Sequence, residues 1–159
     1  MTSIPKNVPD SQSNDDRVSV VEINGYLFGI DILRSKEVFP LPRITPVPNT
    51  RADIIGVFNH RGEIYPLLDI SPILGLQSKS IQPTDMVILL EGGDGSVGIV
   101  TDRIHGVRLI APGSIKSPRG TIPKTMMEYV SGMTSDRSAD ILMLNVERLV
   151  SALNAGVPF

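Results

Sequence analysis

Turn-forming residues recur roughly every ten positions between Val18 and Asn145, and that spacing is the strongest constraint on the fold. Segments so short suit strands and leave no room for the long amphipathic helices of a bundle. Gly (14) and Pro (13) supply about one residue in six, against a usual share of about 12%. The first signal is Asn24-Gly25, set between the apolar runs Val18–Ile23 and Tyr26–Ile30. It predicts a type I′ hairpin, whose two central residues both need positive φ. Asp31 then predicts a capped short helix over Ile32 to Val38.

Pro40 to Pro48 holds four prolines in nine residues, which predicts an extended connector or an edge. Thr50 to Asp53 has the form of a capping box with Asp in place of Glu, predicting one helical turn over Ile54-Ile55 that Gly56 stops. Val57–Asn59 and Ile64–Leu68 flank His60-Arg61-Gly62-Glu63 as a second hairpin. Met86–Leu90 and Val97–Thr101 make a third around Gly92–Gly95. Ser71-Pro72 opens a single turn that Gly75 closes. Ile104 to Ile110 reads as a strand, residues 111–125 as loop, and Tyr129-Val130 and Ile141–Leu144 as later short strands. Asn145 caps the one real helix, Val146 to Leu153, whose apolar positions 146, 149, 150 and 153 form one face. Gly156 and Pro158 end it. Eight to ten short strands with single helical turns and a C-terminal helix predict a mostly β protein, built as barrels or a sandwich.

Composition removes several function classes. The net charge is −2 and the aromatic residues are three Tyr and four Phe, with no Trp. The basic footprint and the stacking platforms of nucleic-acid binders are therefore both missing. Cys is absent, which removes disulfides and thiol catalysis and fits a reducing compartment. The longest apolar run, Met86–Leu90, falls far short of a membrane span of roughly 20 residues. Residues 1–16 are polar and read as a disordered tail.

Motifs for chemistry are sparse. Gly93-Asp94-Gly95-Ser96-Val97-Gly98 matches G-x-G-x-x-G, but a strand rather than a helix follows, so the hairpin reading stands. His60 and His105 lie far apart and belong to no metal motif. Each reads as a turn or surface residue, or as a general base with Asp69 or Asp102 as orienter and a serine nucleophile; no G-x-S-x-G elbow accompanies them. Arg61-Gly62 is either a solvated turn or a rigidly presented guanidinium that pairs with a partner's carboxylate or carbonyls. Met126-Met127 reads as core filling or an adaptable contact surface.

Four segments together carry a family resemblance. Phe28–Val38 resembles the start of the CheW-like domain. Pro48–Asp69 resembles its segment ending in N-L-R-G, an apolar strand and P-x-x-D. Val97–Asp102 resembles its V-G-x-x-V-D, and Ile141–Leu149 its closing strand and helix. The resemblance spans about residues 18–153 and implies two packed five-stranded barrels of SH3-like type. On that basis the domain covers 17–155, with 1–16 as the tail and 156–159 as the C-terminal end. It further implies a cytoplasmic chemotaxis adaptor that is not an enzyme, has no cofactor or metal, and neither binds nucleic acid nor inserts into a membrane. The implied partners are the regulatory domain of the histidine kinase CheA and the helical cytoplasmic signalling tip of chemoreceptors. A short tail before Val18 and nothing after Phe159 suggest a free-standing adaptor. Family receptor-coupling positions carry over onto Ser35, Glu37, Gly56, Arg61 and Val107. Glu37 and Arg61 would be rim charges, Gly56 would permit close backbone approach, and Val107 would add apolar contact. Ser35 stands where the family usually has Val, and His60 where it has Leu. An adaptor of a pilus or developmental system is the alternative within the family. A small ligand- or nucleic-acid-binding barrel and a His60- or His105-dependent hydrolase are the alternatives outside it.

Overall fold

The computed structural model describes residues 17–48, 50–93, 95–111, 113–118, 122–137 and 139–154. The readings of residues 1–16 as a tail, of Gly156 and Pro158 as helix stops and of 156–159 as the C-terminal end fall outside them, as do Asn49, Asp94, Pro112 and Gly120 within segments read above. The strands are β1 (Arg17–Ile23), β2 (Tyr26–Asp31), β3 (Ser35–Pro40), β4 (Ile54–His60), β5 (Glu63–Leu68), β6 (Met86–Gly92), β7 (Gly95–Thr101), β8 (Arg103–Leu109), β9 (Val130–Asp136) and β10 (Ala139–Leu144). Two 3-10 turns, Ile32–Arg34 and Met126–Tyr129, and one helix, α1 (Val146–Asn154), complete the described elements.

The Asn24-Gly25 turn has φ of 52° and 84°, as a type I′ turn requires. Asn145 caps α1 as expected, its Oδ1 accepting the Arg148 N–H at 3.1 Å. Three local expectations are corrected. Asp31 does cap, its Oδ1 accepting the Leu33 N–H at 2.9 Å, but the helix ends at Arg34, and Glu37 to Pro40 pair with Leu89 to Met86. Val38 and Phe39 suit a pleated ladder better than a helical turn, and a neighbouring strand was available. Likewise Ile54 and Ile55 belong to β4 rather than to a helical turn, because β5 lies opposite them and the Asp53 carbonyl accepts the Asp69 N–H at 2.8 Å. Tyr129 also falls in a 3-10 turn, with the strand starting one residue later.

The strands form two five-stranded SH3-like barrels, with orders β8-β1-β2-β10-β9 and β3-β6-β7-β5-β4. Each contains one parallel pair, β2 with β10 and β5 with β7, flanked by antiparallel hairpins. Renumbered from β8, the first order becomes the second, so the two barrels share one topology by circular permutation. The second barrel is inserted between β2 and β8 of the first. In each, an ion pair lies at the seam between the two strands that end the order, Arg61 standing in the turn just after β4. Arg108 Nε meets Asp136 Oδ2 at 3.2 Å in the first, and Arg61 meets Glu37 Oε2 at 2.9 Å in the second.

The largest core lies between the barrels. Strand β6 is buried on both faces: Val87 and Leu89 pack inside the second barrel, while Ile88 and Leu90 join the shared core. α1 leaves the first barrel from β10 and packs on β6 of the second. Its Val146, Leu149, Val150 and Leu153 are all buried, each worth roughly 1.5–3 kcal/mol when fully removed from water.

A polar junction completes the contact. The Lys79 ammonium, with its side chain 2% exposed, sits 2.8 Å from Asp85 Oδ2 and 2.7 Å from Asp102 Oδ1. Asp102 Oδ2 also accepts the Asn24 N–H at 2.7 Å, and the Asn24 amide donates to Ser71 Oγ and the Gln77 carbonyl. The β1–β2 turn of one barrel is thus tied to loops of the other. Burial opposes the charge on Lys79, but its hydrogen bonds to Asp102 and Asp85 outweigh it and hold the ammonium above its ordinary value. Burial also opposes the Asp102 charge, yet Lys79 and the Asn24 N–H hold its carboxyl below the ordinary value.

Candidate coupling surface

The Arg61-Gly62 turn has φ of 55° and 88°, so both residues lie in the left-handed region. Arginine is uncommon there. The Gly62 N–H is bonded to Asn59 Oδ1 at 3.1 Å, which closes the turn. The result is a tight two-residue tip that stands the Arg61 side chain out, 76% exposed.

Three further residues fix that tip. Glu37 receives Arg61 on Oε2 at 2.9 Å, while its Oε1 meets His60 Nε2 at 3.0 Å. The His60 ring is stacked on Phe39, centroids 4.4 Å apart and planes 13° from parallel. Phe39 in turn packs on Phe58 inside the barrel, so the charged tip rests on the aromatic core. The Glu37 carboxyl lies below its ordinary value, chiefly through the His60 hydrogen bond, with Arg61 acting the same way against partial desolvation.

The five expected coupling positions do not form one cluster. Ser35 and Glu37 share β3, and Arg61 meets Glu37. Gly56 is buried in β4 further along. A Cβ there would stand 2.5 Å from the Thr45 carbonyl oxygen and 2.7 Å from Ile44 Cγ2. The close backbone approach at Gly56 is therefore made by this chain's own proline-rich connector, which bonds to β4 through Thr45 and Val57 in both directions. Val107 stands on β8 of the other barrel, opposite Ser19 and 52% exposed, with Leu109 two residues on at 72%.

The histidines adopt no triad geometry. His105 Nε2 meets Glu22 Oε1 at 2.8 Å, His60 meets Glu37, and Asp69 accepts the backbone N–H groups of Ser71 and Lys79. Among the described residues no cluster of three or more potential ligands could hold a metal. The G-x-G-x-x-G run joins two antiparallel strands. Met126 is buried and Met127 is 44% exposed, so core and surface divide that pair. Sequence reasoning missed the His60–Phe39 stack and the Lys79 junction. The only sequence signal for the stack was an aromatic two residues after Glu37, and nothing marked Lys79 as buried.

The arrangement is a rigid, charged tip over an apolar barrel, suited to docking. The chain matches the CheW-like domain over residues 17–154. It belongs to the CheW-like family. It is 33% identical over 132 residues to the chemotaxis protein CheW of Thermotoga maritima, covering 83% of this chain and 85% of that one. It is 30% identical over 125 residues to the CheW of Klebsiella aerogenes, covering 79% and 75%. In structure it is similar to the scaffolding protein TtCheW of Thermoanaerobacter tengcongensis, with a TM-score of 0.74, 26% identity, and 85% and 92% of the two chains covered. The CheW-like chain is thus a chemotaxis signal-transduction adaptor. None of its described helices is long and apolar enough to cross a membrane.

Proposed function

We propose that this adaptor works in the cytoplasm without catalysis, joining the cytoplasmic signalling tips of chemoreceptors to the regulatory domain of the histidine kinase CheA. Its coupling residues are Ser35, Glu37, Arg61 and Val107, with Gly56 holding the connector that shapes the same barrel. A receptor tip is a helical hairpin, and helices dock where apolar contact is rimmed by fixed charges. The observation that carries the reading is the Arg61 guanidinium, exposed at a turn with positive φ and steadied by Glu37. A guanidinium so placed offers its remaining N–H donors to a partner at small entropic cost. Co-sedimentation of the full chain with receptor signalling fragments and CheA tests this. Ternary complex formation is expected with the wild-type chain. Failure to bind either partner overturns the reading.

A further inference from the structure

The mouth of the second barrel holds a cavity of about 320 Å³ lined by Lys36, Glu37, His60, Arg61, Glu63 and Tyr65 over a Leu89 floor. Residues 36 and 37 of a regular strand would point to opposite faces. Here the register between β3 and β6 slips between Ser35 and Glu37, and this bulge lets Lys36 and Glu37 line the same cavity.

The carboxylates at this mouth already have partners. Glu37 uses one oxygen on His60 and the other on Arg61, and Glu63 Oε1 accepts the Tyr65 hydroxyl at 2.7 Å. The cations keep donors to offer. Lys36 is exposed and forms no ion pair among the described residues, and Arg61 is bonded to Glu37 through a single nitrogen. We propose, resting on the coupling reading above, that this mouth is a carboxylate site: an acidic side chain of the receptor tip enters between Lys36 and Arg61, while His60 acts as a positioning residue that keeps Glu37 turned aside. The Leu89 floor takes the methylenes of the incoming side chain.

The groups facing His60 are Glu37 and Lys36 from β3, Arg61 from the turn, and Glu63 and Tyr65 from β5, with Phe39 beneath the ring. Lys36 and Arg61 balance the two carboxylates, and with both carboxylates already hydrogen-bonded an incoming acidic group meets the free donors of the cations, whereas a basic group finds acceptors already engaged.

The test is the affinity of the full chain for a receptor signalling fragment. Lys36→Glu should weaken binding about tenfold relative to wild type. His60→Leu frees Glu37 and should weaken binding severalfold, whereas His60→Gln, whose amide can still donate to Glu37, should keep most of it. Lys36 is exposed, so its variants should fold, with circular dichroism as the check. Unchanged or tighter binding by Lys36→Glu or by His60→Leu overturns the carboxylate site while wild-type binding leaves the coupling reading intact. No binding by wild type overturns both.

Discussion

Glu37 and Arg61 lie 24 residues apart in the chain and 2.9 Å apart in the fold, linking β3 to the turn after β4, the strands that end the second barrel's order. The ion pair both joins the barrel and aims the guanidinium. An exposed ion pair contributes little to stability, so its value here lies in geometry. Glu37→Gln should leave the fold intact while raising the mobility of the Arg61-Gly62 tip. Backbone order parameters at residues 60–63 would show it, and an equally rigid tip would argue against the latch.

Gly56 gives a second expectation. Any side chain there meets the Thr45 carbonyl, which is backbone and cannot rotate away. Gly56→Ala should destabilise the protein by about 1–3 kcal/mol and open the connector 41–48 to proteolysis. Denaturant melts with limited digestion would measure both.

Lys79 tests the barrel junction. Its removal leaves the Asp85 carboxylate, 3% exposed, with the Gln82 N–H but not the Lys79 ammonium on it, and breaking a buried pair from one side costs about 3–5 kcal/mol. Lys79→Ala should fall in that range by urea denaturation. Lys79→Met paired with Asp85→Asn should recover part of the loss.

The same junction sets a pH dependence. Asp102 titrates below its ordinary value of 3.8, so its stabilisation is present above that value and lost as the pH falls through the folded value. Lys79 titrates above its ordinary value of 10.5, so its stabilisation is present below that value and lost as the pH rises beyond the folded one. Urea midpoints should therefore drop between about pH 4 and about pH 2 more steeply in wild type than in Asp102→Asn. Parallel curves would contradict this.

Much of the fold was legible because turns are local. Asn24-Gly25, Arg61-Gly62 and Asn145 act through their own dihedrals and nearest N–H groups, which a sequence displays directly. The misreadings fall where a distant strand decided the outcome. Ser35–Pro40 became β3 because β6 lay alongside, and Ile54-Ile55 joined β4 because β5 did. The pairing of Glu37 with Arg61 was not legible from spacing. The two positions were marked separately by family resemblance, and only barrel closure brings them together. The connector over Gly56 and the bulge that turns Lys36 were equally hidden, since both depend on contacts between segments and leave no local pattern.

As proposed above, this chain joins receptor and kinase through the Arg61 tip. The direct measurement is co-sedimentation of CheA with receptor signalling fragments in the presence of wild-type or Arg61→Ala protein. An unchanged melting temperature and a loss of about tenfold or more in kinase recovered with receptor are expected for Arg61→Ala. Full recovery with the folded Arg61→Ala chain would contradict it.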